Sequence, residues 1–147
     1  LEARDVDAVL AIQATCPEIA QWSRDDYARV ADGVMHGWVA ERIGGAAPSA
    51  PVVAGFLVAR SILPEVEILN LAVAPAFRRH GMGTDLFDAA LGWARGAGAT
   101  HAILEVRAAN DGALRLYHRH GFVVAGRRAR YYANPVDDAL LLTAELT

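Results

Sequence analysis

The sequence predicts an α+β fold with one mixed β-sheet and helices on both of its faces. Three observations carry this. Strand-like apolar runs alternate with amphipathic helical stretches through the middle of the chain, at 65–73, 84–95, 101–106 and 110–119. Hairpin-like strand pairs flank that alternation. The chain has 147 residues, 54% of them hydrophobic, enough for a single core and too few for two full domains. Residues 1–147 are therefore expected to form one domain.

Taken in order, Asp5 is expected to cap a helix carrying Val6, Val9, Leu10 and Gln13 on one side, and Pro17 ends it. Ser23-x-x-Asp26 has the spacing of a capping box for a second helix through Tyr27 and Val30, which Gly33 stops. The runs 38–42 and 52–60 read as strands, joined by a long flexible loop of Gly, Ala, Ser and Pro at 44–51. A turn at Leu63-Pro64 leads into the strand 65–73, where Ile68, Leu69, Leu71, Ala72 and Val73 make a nearly continuous apolar run. Pro75 closes that strand, because proline cannot donate to a ladder. The helix 84–95 turns Leu86, Phe87, Ala90, Leu91 and Ala94 inward and ends at Gly96 and Gly98. A strand at 101–106 follows. Asn110 then opens a helix through Tyr117 and Arg119, stopped by Gly121. The runs 122–125 and 140–146 are the last strands, an antiparallel pair.

The first chemical signal is the loop Arg78-Arg79-His80-Gly81-Met82-Gly83-Thr84, which reads R-x-x-G-x-G. Glycines there let backbone N–H groups turn toward one point and let a ligand approach the main chain. The first N–H groups of the next helix have no intrahelical partner, so strand, loop and helix together build an anion pocket. Two arginines and a histidine add positive charge, and a phosphate-bearing ligand is the natural occupant. Taken alone, such a loop is more often a turn whose glycines relieve strain. It is the company it keeps that changes the reading.

Downstream stand Leu104-Glu105-Val106-Arg107, Asn110, Leu116-Tyr117 and Gly121-Phe122. In this order and spacing, residues 70–122 resemble the GCN5-related N-acetyltransferase (GNAT) family. The resemblance implies a sheet whose two central parallel strands splay apart in a V. It implies acetyl-CoA as cosubstrate, its pyrophosphate on the loop from Arg78 to Thr84. The backbone of Leu71, Ala72 and Val73 would pair with the amides of the pantetheine arm, as an added strand would. Asn110 would contact the same arm while capping its helix. The family's first strand normally precedes the point where Leu1 stands, so the chain is expected to begin inside or just after that strand.

Acetyl transfer needs a thioester, a neutral amine and a route for two protons. A carboxylate partly buried at a strand end can serve as base, since desolvation raises its pKa toward neutrality. Glu105 is the candidate, and the resemblance, closest to the RimI-type ribosomal-protein-alanine N-acetyltransferases, gives the L-E-V-R glutamate that role. The competing reading pairs Glu105 with Arg107 on the same strand face. Tyr117, one helical turn before Gly121, is the matching acid for the departing thiolate. The segment Arg127-Arg128-Ala129-Arg130-Tyr131-Tyr132, followed by Asp137-Asp138-Ala139-Leu140, resembles that of protein N-terminal acetyltransferases. There the tyrosines lie in a loop over the acceptor cleft, so Tyr131 and Tyr132 are expected to hold a peptide, with Trp22 on the opposite wall. Trp22-Ser23 resembles the W-S of the bacterial ribosomal-protein-alanine acetyltransferases, and residues 17–21 read as an insertion relative to them.

Composition excludes other classes. The net charge of −3 argues against general nucleic-acid affinity. No apolar run approaches the length of a membrane helix. The single cysteine, Cys16, forms no internal disulfide and suits a reducing cytoplasm. His36, His101, His118 and His120 match no zinc spacing, so no metal is expected; His118 and His120 read as solvated residues near a helix C-terminus. All 14 basic residues are arginine, which reads as genomic bias. The function expected is acetylation of the N-terminal α-amine of a protein, an alanine-starting ribosomal protein, by a monomer or weak dimer. An acetyltransferase for a small amine is the alternative, with Glu65 and Glu67 as the nearest acidic pair. A non-catalytic acyl-CoA-binding module is the third reading, and the presence of Glu105 and Tyr117 argues against it.

Overall fold

The computed structural model describes residues 1–33, 35–42 and 51–146. Helices α1 (Val6–Ala14) and α2 (Arg24–Ala31) lead into strands β1 (His36–Arg42), β2 (Val52–Ile62) and β3 (Glu65–Val73). Helix α3 (Met82–Gly96), strand β4 (His101–Arg107), helix α4 (Asp111–Arg119) and strands β5 (Val123–Tyr132) and β6 (Asp137–Glu145) complete the order. The strands form one six-stranded sheet in the order β1-β2-β3-β4-β6-β5. The expected α+β class, with its mixed sheet, is what forms. The β3–β4 pair is parallel, and its ladder runs from Glu65↔His101 to Ile68↔Leu104. The loop expected at 44–51 lies outside the described residues except for Pro51.

The chain groups into two compact units, Leu1–Ala59 with Asn70–Ala90, and Arg60–Leu69 with Leu91–Thr147. In the first, α1 buries Val6, Val9, Ile12 and Gln13. Those steps of three and four leave Leu10 at the edge of the stripe, half-exposed, where an inward position was expected. Asp5 precedes α1 without capping it through its side chain. A 3₁₀ turn at Ala3–Asp5 runs straight into the helix, and the Asp5 carboxylate turns back to accept the Glu2 N–H at 2.7 Å. The Ser23 box forms as its spacing requires: Ser23 Oγ accepts the Asp26 N–H and Asp26 Oδ2 accepts the Ser23 N–H. Phe56, Leu57 and Val58 of β2 are all fully buried, so this strand is covered on both faces.

Helix α3 buries the five residues expected of it, Leu86, Phe87, Ala90, Leu91 and Ala94. It begins at Met82, two residues before the expected start, because the Asp85 N–H already bonds the Gly81 carbonyl at 2.9 Å. In the second unit Leu104 pairs with Leu142 across β4 and β6, and both are buried. The largest departure is β5. It was expected to stop at residue 125, and it runs on as a strand to Tyr132, pairing Arg127 with Leu140, Arg128 with Ala139 and Tyr132 with Asp137. An edge strand exposed on both faces shows no apolar–polar alternation, so the hydrophobic period that marks a strand is missing here. Tyr131 and Tyr132 therefore stand at the end of a strand, and not in a loop. Register shifts before Gly126 and before Tyr132, with a left-handed backbone at Arg130 (φ 53°), turn its far end.

Candidate active site

In the first unit β3 feeds a 3₁₀ turn at Pro75–Phe77 and then the glycine loop. Arg79 (φ 66°) and Gly81 (φ 78°) both adopt left-handed backbone. A Cβ placed on Gly81 meets nothing within 4 Å, so open space faces the loop at that point. Arg79, His80 and Gly81 are exposed, and Met82, Gly83 and Thr84 are half-buried. Since Asp85 is the first residue to bond backward, the N–H groups of Met82, Gly83 and Thr84 precede the first closed turn and carry the positive end of the helix. This is an anion-binding arrangement.

Arg78 does something the motif alone does not disclose. Its Nε donates to the Val73 carbonyl at 3.0 Å, and its Nη2 lies 3.2 Å from Cys16 Sγ and 3.2 Å from Glu18 Oε1. The guanidinium is a brace joining the end of β3 to the segment after α1. Along β3, a Cβ on Gly55 would meet the Ala72 carbonyl at 2.9 Å, so Ala72 turns its backbone toward β2. Strand alternation then points the backbone groups of Leu71 and Val73 the other way. Of these, the Leu71 N–H is held by Asn70 Oδ1 at 3.2 Å and the Val73 carbonyl by Arg78. The Leu71 carbonyl and the Val73 N–H point the same way, an acceptor and a donor at the spacing of an extended strand.

A buried polar network lies in the same unit. Gln13 clamps the main chain of Trp22 twice, donating to its carbonyl and accepting its N–H, each at 2.9 Å. The Tyr27 hydroxyl donates to Gln13 Oε1, and Asn70 Nδ2 donates to the Tyr27 hydroxyl and to the Ala20 carbonyl, both at 3.1 Å. Burial pushes the Tyr27 phenol well above its ordinary range, with the Asn70 hydrogen bond acting in the opposite sense. The Trp22 indole packs on the Tyr27 ring with centroids 5.3 Å apart. The sequence reading gave Gln13 and Asn70 no role. Their signal was present all the same: each is a polar residue at a position whose helical or strand parity is buried.

In the second unit, Ile103, Glu105 and Arg107 lie on the half-open face of β4, while Ala102, Leu104 and Val106 are buried on the other. Glu105 pairs with Arg128, at 3.5 Å, in place of Arg107. Arg107 is occupied by the β5–β6 turn: it donates to the Pro135 carbonyl at 3.0 Å and the Ala133 carbonyl at 3.3 Å, and stacks over the Tyr132 ring 4.4 Å from its centroid. The rings of Tyr131 and Tyr132 meet edge to face at 5.0 Å, and Arg128 lies 5.5 Å over Tyr131. The charge of Glu105 reaches Tyr132, and after burial it is the largest cause that raises that phenol.

Tyr117 lies in the same unit. Burial, with a further contribution from Tyr132, pushes its phenol far above the usual value and keeps it protonated. Its backbone is fixed by the helix end: Phe122 N–H bonds the Tyr117 carbonyl at 3.1 Å and Gly121 N–H bonds the His118 carbonyl at 3.1 Å, with Gly121 at φ 85°. This is a Schellman motif, and its hydrophobic partner is the Phe122 ring, 6.1 Å from that of Tyr117. His118 and His120 are not simply solvated. Their Nδ1 atoms sit 3.0 Å and 2.9 Å from the Phe122 and Leu116 carbonyls at this same helix end. Asn110 caps α4, its Oδ1 accepting the Ala113 N–H at 3.3 Å.

The structure thus groups Glu105, Tyr117, Tyr131 and Tyr132 in one unit, and the loop, the β3 end and Trp22 in the other. Among the described residues, no cluster of three or more His, Cys, Asp or Glu is placed to hold a metal, and no helix is long and apolar enough to cross a membrane.

A glycine loop that leads from a strand into a helix N-terminus is an arrangement suited to phosphate-bearing ligands. Residues 6–122 match the Acetyltransferase (GNAT) family, and the chain belongs to it; it is an acetyl-CoA-dependent N-acetyltransferase. The ribosomal protein bS18-alanine N-acetyltransferase of Salmonella typhimurium is 33% identical over 96 residues, a stretch covering 64% of this chain and 65% of that one. The ribosomal-protein-S18-alanine N-acetyltransferase from Escherichia coli has a crystal structure similar to this chain, with TM-score 0.83 and 26% identity over 100% of this chain and 91% of that one. Arabidopsis thaliana NAA60, solved in complex with acetyl-CoA, shares the fold with TM-score 0.85 at 21% identity, over 99% of this chain and 96% of that one.

Proposed function

We propose that this chain moves the acetyl group of acetyl-CoA to the N-terminal α-amine of a protein, an alanine-starting ribosomal protein in the cytoplasm. The observation that carries the reading is the Tyr131–Tyr132 pair, edge to face at 5.0 Å, beside Arg128, the ion-pair partner of Glu105. The names of the Salmonella and Escherichia coli relatives agree with it. Bound acetyl-CoA supplies an activated carbonyl and a thiol leaving group. The N–H groups around Arg79, His80, Gly81, Met82, Gly83 and Thr84 hold its pyrophosphate, and the open space over Gly81 fits that group. Leu71 and Val73 hold the pantetheine amides, Asn110 contacts the same arm, and Arg78 braces the strand end. Glu105 would take one proton from the acceptor ammonium; the nitrogen would then bond to the acetyl carbon as the carbon–sulfur bond breaks, Tyr117 would give its phenolic proton to the departing sulfur, and the second nitrogen proton would restore the phenol. Tyr131, Tyr132 and Trp22 hold the first residues of the peptide.

A proton argument favours an α-amine over a lysine side chain. Their ordinary pKa values, about 7.7–8.0 and about 10.4, differ by roughly 2.5 units, or about 3.4 kcal/mol of deprotonation cost near neutrality. A single carboxylate covers the smaller cost more readily. The small-amine alternative leaned on Glu65 and Glu67, and Glu67 is already engaged by Arg60. The deciding comparison is one peptide with a free N-terminus against its N-blocked copy carrying an internal lysine. Acetylation of the free peptide alone is expected. Equal or faster reaction of the blocked copy overturns the reading, and acetylation of spermidine alone transfers it to small amines.

A further inference from the structure

We infer that Gln13, acting with Tyr27 and Asn70, is a positioning residue for the acceptor: it fixes the main chain of Ala20–Trp22 and so sets where the Trp22 indole stands. This rests on the reading of Trp22 as an acceptor-side wall. Helix α1 stops at Ala14, and α2 begins only at Arg24. The connection between them, residues 15–23, belongs to no strand, so no ladder orders it. Buried side-chain amides order it in place of a ladder. Gln13 reads Trp22 as a neighbouring strand would, giving one bond and taking one. Asn70, 6% exposed, holds the Ala20 carbonyl from β3. The Tyr27 hydroxyl lies between the two amides, donating to one and accepting from the other.

Each polar atom in this set has a partner inside the fold, and that makes the arrangement directional. An apolar core would bury Trp22 without choosing its main-chain position, whereas a satisfied network specifies one. Loss of Gln13 leaves the Trp22 N–H and carbonyl without these partners and lets Trp22 shift, while Asn70 still holds Ala20. Arg78 ties the same segment at Glu18, but that pair is surface-exposed and contributes little. The consequence is specific. Acceptor binding depends on the network, while acetyl-CoA, held by the 79–84 loop, does not.

The test is steady-state kinetics of the full chain with acetyl-CoA and a free-N-terminus peptide, using Gln13→Met, Tyr27→Phe and Trp22→Ala. Gln13→Met conserves volume and removes both bonds to Trp22. It is expected to raise KM for the peptide about tenfold, equivalent to about 1.4 kcal/mol, with KM for acetyl-CoA and kcat within about twofold. Tyr27→Phe keeps the ring and loses only the hydroxyl, so a smaller rise in peptide KM is expected; it carries the test if Gln13→Met does not fold. Equal loss in both KM values, or none, in a folded variant overturns the inference. Trp22→Ala separates the premises. An unchanged peptide KM there removes the acceptor-wall reading itself, whereas a raised KM in Trp22→Ala with none in Gln13→Met removes only the positioning role.

Discussion

At Gly81 the backbone is left-handed (φ 78°) and the direction of a Cβ is empty. Both facts bear on a Gly81→Val test. A β-branched residue there costs about 1–2 kcal/mol in backbone strain, and its methyl groups enter the space assigned to the pyrophosphate. Gly81→Ala carries most of the strain with less intrusion, so acetyl-CoA affinity by calorimetry is expected to fall further for Val than for Ala. Unchanged affinity in a folded Gly81→Val variant removes the phosphate assignment. Tyr117 is a buried phenol that stays protonated at neutral pH, the form an acid must have. Tyr117→Phe is expected to lower turnover by about 10² to 10⁴ while acetyl-CoA binding is retained. Glu105→Gln is expected to lose most at low pH and recover in part as the amine deprotonates unaided. Wild-type rates for both variants across pH would put neither residue in the mechanism.

Among elements, β2 comes close to β3 at Gly55. An added Cβ there reaches the Ala72 carbonyl at 2.9 Å and the Leu86 and Val73 side chains at 3.3 Å. The first neighbour is backbone and cannot swing aside. Gly55→Ala is therefore expected to cost about 1–3 kcal/mol of stability, read by urea unfolding, and to weaken acetyl-CoA binding because Leu71 and Val73 move with β3. What the sequence disclosed at this scale follows from where each determinant lies. The α2 box, the α3 stripe and the Gly121 stop are written within a few residues of each other, so spacing revealed them. Nothing local marks Arg128 as the partner of Glu105, since that pair forms across a hairpin whose outer strand has no alternation. The segment 17–22 is continuous in the sequence, while its anchors Gln13 and Asn70 lie on α1 and β3. The residues to which chemistry is assigned could be named because a family spacing ties them together; the residues packed around them could not.

For the whole molecule, β2, β3 and α3 each run through both compact units, so unfolding one unit takes residues from elements of the other. A single cooperative transition is expected, and the tryptophans can report on it. Trp22 and Trp38 belong to the first unit and Trp93 to the second. The titration of buried phenols sharpens the test. Tyr27 sits in the first unit and Tyr117 in the second, and burial raises both above the ordinary value of about 10. Above that pH the unfolded chain releases phenolic protons that the folded chain keeps. The unfolded state then binds fewer protons, and stability falls as pH rises. The contribution is complete below about pH 10 and is lost toward and through the higher folded-state values, with a limiting slope of about 1.4 kcal/mol per pH unit for each tyrosine. Urea midpoints between pH 8 and 11.5 are expected to decline steeply in the wild type. Tyr27→Phe and Tyr117→Phe should each make that decline shallower by a similar amount. Under one cooperative transition, either variant flattens the curve whether fluorescence comes from a Trp93-only chain or from one retaining Trp22 and Trp38. If Tyr27→Phe changes only the Trp22 and Trp38 signal, and Tyr117→Phe only that of Trp93, the units unfold independently and the single-domain expectation fails.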